Sequence, residues 1–284
     1  MVRVVSDSTC DLVPELAHEL RIHVVPLYVS VGDRTYRDGV DLDSDGLYRE
    51  LRAGRVPRTS APSPGDFVAA YRRLAGRSKE IISIHLAEGY SGTMAAARLA
   101  STYVTEHCQV RVIDSRSVSV GLGSVVLAAA RAARSGAGLA QVTEVAEDAA
   151  SRCRLYGKLD DFGYLFRGRR FRLTRWLKAV GRTSAFVRVK VVGEAYEGGR
   201  IRSPRVVLGQ SMALRALESL ARRPGPVEEV VIGYSTAPEE AQMLAVRLGG
   251  LVPEDRIVIT RIGAVTSTYV GPGTLVMAAR GAQG

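Results

Sequence analysis

The sequence predicts an α/β fold built from two domains, the first spanning residues 1–155 and the second residues 156–284. Three observations support this prediction. Short apolar runs alternate with helical segments in the first half, as they do in parallel βαβ units. Polar loops follow the apolar runs that end near residues 5, 86 and 113. After about residue 153 the alternation gives way to hairpin-like segments, which indicates an α+β second domain.

The composition is that of a globular protein large enough for a sizeable core. The chain has 284 residues, of which 46% are hydrophobic and 24% charged. Its first residues run directly into strand-like sequence, so we expect no secretory signal. The most apolar stretch, 125–133, contains Arg131 and is too short for a membrane span. Three widely spaced cysteines form neither a disulfide framework nor a zinc site, which favours a reducing cytoplasm.

Four apolar runs are predicted as strands of a mostly parallel, Rossmann-like sheet in the first domain. They are rich in valine and isoleucine, and they cover residues 2–5, 22–29, 81–86 and 110–115. Gly32 and Asp33 can turn the chain into a hairpin excursion that ends near Gly39. The carboxyl ends of the strands then share one edge with their polar loops. Ligands bind at that edge in open α/β sheets.

Helices are predicted to connect these strands. Pro14 suits the first turn of the first helix, and Gly136 ends the long helix that begins at residue 122. A rigid polar loop with two prolines, 58–64, precedes the third helix. Alanine and leucine dominate the later helices without an interrupting proline. The predicted helices are 14–20, 43–53, 66–74, 94–104, 122–134 and 139–152.

The second domain is predicted to mix hairpins with helices. Residues 185–192 alternate like a strand, and two glycines within 196–201 suit a hairpin turn. Helices are predicted over 209–221 and 238–248. The remaining predicted strands are 227–234, 257–262 and 274–278, the last two on either side of Gly271-Pro272-Gly273.

The loop after the strand 81–86 carries the clearest binding signal. Ser91, Gly92 and Thr93 stand immediately before a predicted helix, where hydroxyls and free backbone N–H groups point the same way. This geometry accepts a carboxylate or phosphate with help from the helix dipole. Glycine at position 92 lets the backbone approach a ligand closely. The alternative is that Ser91 or Thr93 is only an N-terminal helix cap and binds nothing.

The sequence contains little support for a hydrolase, a nucleotide-binding enzyme or a metalloenzyme. The segment 89–93 resembles a nucleophile elbow, but Thr93 replaces its second glycine and the histidines do not follow in the usual order. There is neither a Walker lysine nor a G-x-G-x-x-G motif, and no spacing of His or Cys supports a metal. His85 lies on an apolar strand, where a core histidine is the simpler interpretation. We expect neither a cofactor nor a metal.

The net charge of +10 is concentrated in one stretch. Residues 167–188 contain seven arginines and Lys178 but no acidic residue. Such a patch could bind phosphates or an acidic protein surface. No helix-turn-helix, zinc finger or aromatic RNA-binding motif accompanies it, which disfavours a specific nucleic-acid partner.

Several segments taken in order resemble the DegV family, the bacterial fatty-acid-binding proteins that include the B subunit of fatty-acid kinase. No single motif is specific, but their order and spacing span essentially the whole chain. The similar segments are 6–12 (SDSTCDL), 25–27 (VPL), 36–39 (YRDG), 59–63 (TSAPS), 91–93 (SGT), 113–115 (IDS) and 271–273 (GPG).

The resemblance implies a lipid tunnel between the two domains that holds the tail of a long-chain fatty acid. The carboxylate would meet Thr59 or Ser60 from one loop, and Ser91, Gly92 and Thr93 from the other. The protein would then be a non-catalytic carrier, since it lacks a nucleotide-binding motif. It would present the carboxylate to a separate fatty-acid kinase subunit that forms the acyl phosphate.

Two departures from the family pattern concern the head group and the kinase. Tyr269 stands where the family commonly carries a histidine shortly before Gly-Pro-Gly. A tyrosine hydroxyl can donate to a carboxylate but cannot act as a cation. The family's glycine-glycine-arginine turn appears as Gly168-Arg169-Arg170, and its later arginine corresponds to Arg205. The resemblance makes these arginines candidates for docking the kinase or contacting a phosphate.

Two other functions remain open at this point. The first is a hydrolase or phosphotransferase that acts at Ser91, which would turn over an ester or phosphoester. The second is a nucleic-acid or regulatory binding protein that uses the basic stretch 167–188.

Overall fold

The computed structural model describes residues 1–161, 164, 189–196, 200–223 and 225–282, and it contains two main sheets. The strands of the first sheet are β1 (Arg3–Asp7), β2 (Ile22–Val25), β6 (Glu80–His85) and β7 (Gln109–Asp114). They lie in the order β2-β1-β6-β7, and every neighbouring pair is parallel. The prediction of a parallel sheet in the first domain is therefore confirmed.

A small antiparallel sheet branches off after β2. It consists of β3 (Tyr28–Val31), β4 (Arg34–Arg37) and β5 (Arg58–Ser60), in the order β4-β3-β5. A single strand over 22–29 was therefore the wrong prediction. The chain leaves the parallel sheet after Val25, because Pro26 has no N–H to continue the ladder. The predicted loop 58–64 is also corrected, since its first three residues pair with β3.

Four helices surround these sheets: α1 (Pro14–Glu19), α2 (Ser44–Arg52), α3 (Pro64–Ala75) and α4 (Thr93–Thr102). The start of α3 is fixed by a capping box. The Ser63 hydroxyl accepts from the Asp66 N–H at 3.2 Å, and the Asp66 carboxylate accepts from the Ser63 N–H at 2.8 Å. At α4 the N-cap position is Gly92, not Ser91 or Thr93 as the alternative had it, although the Thr93 N–H donates to Ser91 Oγ at 3.3 Å.

The second sheet is mixed. Its strands are β8 (Cys153–Leu159), β9 (Val189–Tyr196), β10 (Arg200–Leu208), β11 (Val227–Tyr234), β12 (Ile257–Arg261) and β13 (Leu275–Gly281). They lie in the order β10-β9-β8-β13-β11-β12, with only β11 and β12 parallel. The sequence analysis missed β8, where arginine, lysine and glycine interrupt the apolar pattern. The domain boundary predicted after residue 155 falls inside this strand.

Three helices belong to the second half of the described chain: α7 (Gln210–Ala221), α8 (Pro238–Leu248) and α9 (Ala264–Val270). The first two match the predictions to within one residue. The sequence analysis missed α9, which reads AVTSTYV. Its β-branched valines and threonines have low helix propensity, so tertiary contacts must hold this helix in place.

Two long helices, α5 (Val120–Arg134) and α6 (Leu139–Arg152), connect the sheets. Most of α5 is buried, and its apolar side chains share one core cluster with residues of both sheets. Arg131 of α5 forms an ion pair with Glu229 of β11, whose Oε1 also accepts from Arg280 Nη2 at 3.2 Å. Leaving such a buried charge unpaired would cost about 3–5 kcal/mol, so this network fixes α5 on the mixed sheet.

Among the helices of the described ranges, none has both the length and the apolar character needed to cross a bilayer.

Candidate functional site

An apolar cavity lies between the two main sheets. It holds about 940 Å³ of atom-free space, counted out to its open mouth. Loops after β1 and β6 contribute Thr9 and Tyr90, and the turn before α5 contributes Ser119. The helix α9 forms another wall with Val265, Thr266, Tyr269 and Val270. The lining is almost wholly apolar, so the cavity suits a hydrocarbon chain.

The mixed sheet supplies the floor of this cavity through paired residues on β8 and β9. Alternate residues of a strand lie on the same face of the sheet, so three cross-strand pairs face the cavity. These pairs are Leu155–Ala195, Gly157–Gly193 and Leu159–Val191.

The two glycines of the middle pair, Gly157 and Gly193, differ in whether the surrounding packing requires a glycine. A Cβ atom at Gly193 would lie 2.6 Å from Cγ2 of Ile201, so the packing of Ile201 requires a glycine there. A Cβ atom at Gly157 would have its nearest neighbour at 3.8 Å, which is ordinary contact. Glycine inside a strand costs stability and often marks a close approach by a ligand. Nothing in the described packing requires Gly157, and its missing side chain leaves space in the cavity that it lines.

The first polar group at the cavity joins Thr59 to Tyr269. Thr59 lies on β5 opposite Val29, and Tyr269 lies on α9 and lines the cavity. Their hydroxyl oxygens are 2.5 Å apart, so one hydroxyl donates to the other. Two residues selected from the sequence, 210 positions apart, are therefore in direct contact. Ser60 is exposed on the same strand, and the pleat turns neighbouring side chains to opposite faces.

The second polar group is the loop with Ser91, Gly92 and Thr93. The Ser91 and Thr93 hydroxyl oxygens are 2.9 Å apart, and the Thr93 N–H donates to Ser91 Oγ at 3.3 Å. Thr93 is fully buried, Ser91 is half-buried, and a side chain at Gly92 would enter open space. Tyr90, which precedes this loop, lines the cavity. Each of the two polar groups thus reaches the cavity through one tyrosine, Tyr269 or Tyr90, whereas Thr59, Ser60 and the residues 91–93 are not among the residues that line it.

The arginines selected from the sequence lie elsewhere. Arg205 is exposed on β10 opposite Val192, and it does not line the cavity. Arg169 and Arg170 lie outside the described residues, as does the basic stretch 167–188.

Asp11 was missed as a site residue, although it belongs to the polar motif 6–12. Its carboxylate accepts from Ser119 Oγ at 2.6 Å, from Thr266 Oγ1 at 2.9 Å and from the Gly263 N–H at 2.8 Å. Burial raises its pKa to about 7, although these hydrogen bonds act in the opposite direction. Asp11 therefore joins the first sheet to two walls of the cavity. The density of polar residues after β1 was the available signal.

Asp38 holds the same helix from a second direction. Its Oδ1 accepts from the N–H groups of Ala264 and Val265 at 2.9 and 3.3 Å, at the amino end of α9. Burial raises the pKa of this carboxyl to about 6. The two carboxylates together fix α9, and with it Tyr269, against the first half of the chain.

The Gly-Pro-Gly loop ends α9. Gly271 has φ +74°, and a Cβ atom there would lie 2.4 Å from the ring of Tyr164. Its carbonyl accepts from the Tyr48 hydroxyl at 3.2 Å. The glycine is needed both for the backbone conformation and for this close packing.

A buried chain of hydrogen bonds runs from the cavity into the first domain. Thr9 donates to Asp7 Oδ1 at 2.5 Å, Asp7 Oδ2 lies 3.0 Å from His85 Nδ1, and His85 Nε2 lies 2.7 Å from Ser83 Oγ. These are the spacings of a catalytic triad. However, Ser83 is fully buried, accepts from Tyr71 at 2.8 Å and does not line the cavity. The chain is a packed core network, which confirms the interpretation of His85 as a core histidine.

The hydrolase interpretation of Ser91 has no comparable geometry. Its hydroxyl is bonded to Thr93, and His107, the only histidine that follows it in the sequence, is exposed. Within the described residues no histidine or carboxylate is hydrogen-bonded to Ser91 Oγ. As far as the described residues go, the arrangement supplies hydroxyl donors but no base to activate one of them.

Comparisons with known proteins agree with this architecture. A family model described as an uncharacterised protein of the DegV family matches residues 1–280. A DegV domain-containing protein of Streptomyces coelicolor is 33% identical over 278 residues, which are 96% of each chain. A DegV family protein from Thermus thermophilus, described as binding fatty acid, is 28% identical with a TM-score of 0.83 over 99% of each chain.

A further solved structure shares the fold at lower identity. The fatty-acid kinase (Fak) B3 protein of Streptococcus pneumoniae, loaded with linoleic acid, is 23% identical with a TM-score of 0.85 over 99% of each chain.

Proposed function

This chain belongs to the DegV family, and from that membership and its own cavity we propose that it binds a long-chain fatty acid. The observation that carries the proposal is an apolar cavity whose lining includes Tyr269, hydrogen-bonded to Thr59, and Tyr90, which precedes Ser91 in the chain. Its relative from Thermus thermophilus, with the same fold, is described as binding fatty acid. The apolar lining suits the tail, and the hydroxyls suit the carboxylate.

The head group is proposed to lie at the polar border of the cavity. Within the Thr59–Tyr269 pair and within the Ser91–Thr93 pair one hydroxyl donates to the other, so each pair keeps one O–H that can donate to the ligand, and the Gly92 backbone is open to it. A carboxylate accepts up to four hydrogen bonds in its plane, so it can use several of these donors. Hydrogen bonds to a charged group are about twice as strong as neutral ones.

The tail is proposed to lie over the face of β8 and β9, where it supplies most of the affinity. Each methylene that leaves water contributes about 0.8 kcal/mol, so a long chain outweighs the head-group contacts. The head group then fixes the orientation of the chain. We further propose that the protein is a non-catalytic carrier of the cytoplasm, where its three buried free thiols would stay reduced.

The carrier is proposed to present the carboxylate to a separate kinase that forms the acyl phosphate. The shared fold with the Fak B3 protein is consistent with this role. Arg205, exposed on β10, and the arginines at 169 and 170 are the proposed contacts with that kinase or with the phosphate.

The proposal is tested by extracting the purified protein with organic solvent and identifying bound fatty acid by mass spectrometry. We expect a co-purified long-chain acid, and saturable binding of added palmitate or oleate. Ser91→Ala should weaken binding by about threefold to tenfold through the loss of one donor. Ser101→Ala, on the helix α4 that follows Ser91, is the matched control and should bind normally, because its hydroxyl donates to the Arg98 carbonyl. An empty protein that also fails to bind either acid contradicts the proposal.

The same samples test the hydrolase alternative. A carrier should not turn over fatty-acyl or phosphate esters in either form. Ester turnover that disappears in Ser91→Ala would favour the enzyme instead.

A further inference from the structure

A concave basic surface lies at the amino-terminal edge of the parallel sheet. This surface, the basic pocket, holds about 1230 Å³ of atom-free space counted out to open solvent. No aspartate or glutamate of the described chain lines it. Its basic side chains are Arg3, His18, Arg21, His23, Arg73 and Arg77.

The basic pocket is separate from the fatty-acid cavity. Arg3 and His23 lie at the amino ends of β1 and β2, whereas Thr9 and Tyr90 follow the carboxyl ends of β1 and β6. The two concavities share no lining residue. A ligand of the basic pocket would therefore not compete directly with a fatty acid.

Helix dipoles explain only part of this concentration of charge. His18 and Arg73 lie in the last turns of α1 and α3, where a cation is favourable. Arg3 belongs to a strand, and Arg21 lies beyond α1 with φ +54°. Neither therefore benefits as a last-turn residue.

Among the described residues, the arginines of the pocket also lack counterions. In the part of the chain that the structure describes, no carboxylate pairs with the guanidinium groups of Arg3, Arg21, Arg73 or Arg77. Arg3 Nε is buried and has no hydrogen-bond partner among the described atoms. A buried donor without an acceptor is costly, and a bound water or ion is the usual explanation.

We propose that the basic pocket is an anion site that binds a phosphate group. Guanidinium groups bind oxyanions through paired N–H donors, and a phosphate offers such pairs in several directions. Here the arginines approach from β1, from the turn after α1 and from the end of α3. That spread suits a tetrahedral oxyanion better than a planar carboxylate, whose acceptors share one plane.

His23 gives this site a measurable proton linkage. Arg73 Nη2 lies 2.8 Å from Nε2 and 3.0 Å from Nδ1 of His23. Burial, and then the charge of Arg73, lower the pKa of His23 to about 4. The other charged or titratable groups at the pocket are Arg3 on β1, His18 and Arg21 at α1, and Arg77 after α3. An anion opposes their field, so its binding raises the pKa of His23 and takes up a proton near pH 5.

The experiment titrates the full chain with pyrophosphate by calorimetry in phosphate-free buffer at pH 5 and pH 7. Vesicles of phosphatidylglycerol, with phosphatidylcholine as reference, test a lipid head group as the source of the phosphate. The variant Arg73→Gln/Arg77→Gln removes two donors from the pocket. Arg72→Gln is the matched control, because Arg72 is exposed on the same helix and does not line the pocket.

We expect saturable pyrophosphate binding at one site per chain, at least tenfold weaker in the double variant and within twofold of normal in Arg72→Gln. Pyrophosphate itself takes up protons between pH 7 and pH 5, so the effect of His23 is read by comparison: the ratio of the affinity at pH 5 to that at pH 7 should be higher in the native protein than in His23→Gln. Vesicle binding that is lost in the double variant would assign the phosphate to a lipid head group.

The proposal is overturned if neither probe binds, or if Arg72→Gln weakens binding as much as the double variant. Palmitate binding is measured in parallel and should be unchanged in every variant. The proposal of an anion site and the proposal of fatty-acid binding can thus be disproved independently of each other.

Discussion

The hydroxyl pair of Thr59 and Tyr269 is the most specific contact at the cavity border. The two side chains come from a small antiparallel sheet and from α9, and their oxygens lie 2.5 Å apart. Both are neutral donors. A carboxylate held here would be recognised by hydrogen-bond geometry instead of by a positive charge, in contrast to a site built on a histidine.

Replacing the tyrosine tests that contact directly. Tyr269→Phe keeps the ring and removes one donor, so we expect fatty-acid affinity to fall by about threefold to tenfold. Displacement of a fluorescent fatty acid gives the dissociation constant. Tyr103→Phe is the control, since Tyr103 is 61% exposed at the end of α4. Equal affinities in Tyr269→Phe and the native protein would remove Tyr269 from the site.

Gly157 is the residue expected to limit which chains fit. Gly157→Val would fill cavity space while meeting no close neighbour at its Cβ. Long saturated acids should therefore lose about fourfold in affinity per excluded methylene, whereas short acids should bind as before. A series from octanoate to stearate measures this. A uniform loss at every chain length, or no loss at all, would contradict the assignment.

At the scale of elements, α9 connects the two halves of the molecule. Its sequence is poor in helix formers, yet it forms one wall of the cavity and carries Tyr269. Asp11 and Asp38 hold its amino end through the Gly263, Ala264 and Val265 N–H groups. The helix therefore depends on contacts with distant segments more than on its own propensity.

The raised pKa of Asp11 predicts a pH dependence of stability. Between its ordinary value of 3.8 and about 7, the folded chain keeps a proton that the unfolded chain has released. The contribution of Asp11 to the free energy of unfolding therefore falls as pH rises through this range. Asp11→Asn cannot titrate, so the stability of the native protein relative to the variant should fall by about 3 kcal/mol from pH 4 to pH 7.

Urea denaturation of both proteins across this pH range makes the measurement. His23 titrates in the opposite sense, because its lowered pKa favours stability at higher pH, but it is present in both proteins and cancels. A constant difference between native protein and variant would contradict the prediction.

The elements that sequence reasoning missed share a physical cause. Most helices and parallel strands were predicted because their apolar periodicity is local. By contrast, β8 and α9 have weak local signals and form through pairing or capping by distant residues. The same holds for the site. Ser91 and Thr93 were selected from their loop and Thr59 and Tyr269 from the family resemblance, but the roles of Asp11 and Gly157 depend on neighbours far along the chain.

At the scale of the whole molecule, the two sheets share one core. Side chains of β1, α5 and β13 belong to the same buried cluster, so the halves are not expected to unfold separately. A fatty acid that contacts both sheets would stabilise both together.

Thermal unfolding tests this joint stabilisation. With palmitate at about 100 times its dissociation constant, the free energy of unfolding should rise by about 2.7 kcal/mol, which corresponds to roughly 4–5 °C in Tm. Calorimetry should show one transition that moves as a whole. Two transitions, of which only one responds to palmitate, would show that the halves unfold independently.

The hydrogen bonds that hold α9 also affect how fast a bound fatty acid is exchanged. Hydrogen bonds to Asp11 and Asp38 in the first half of the chain hold α9, which forms one wall of the cavity. This helix therefore cannot move outward unless those hydrogen bonds break. Dissociation of the fatty-acid tail and separation of the two halves would then occur in one step, with one activation barrier. The residence time of the fatty acid would depend mainly on how often the two halves of the molecule open, and only weakly on the hydrogen bonds to its carboxylate.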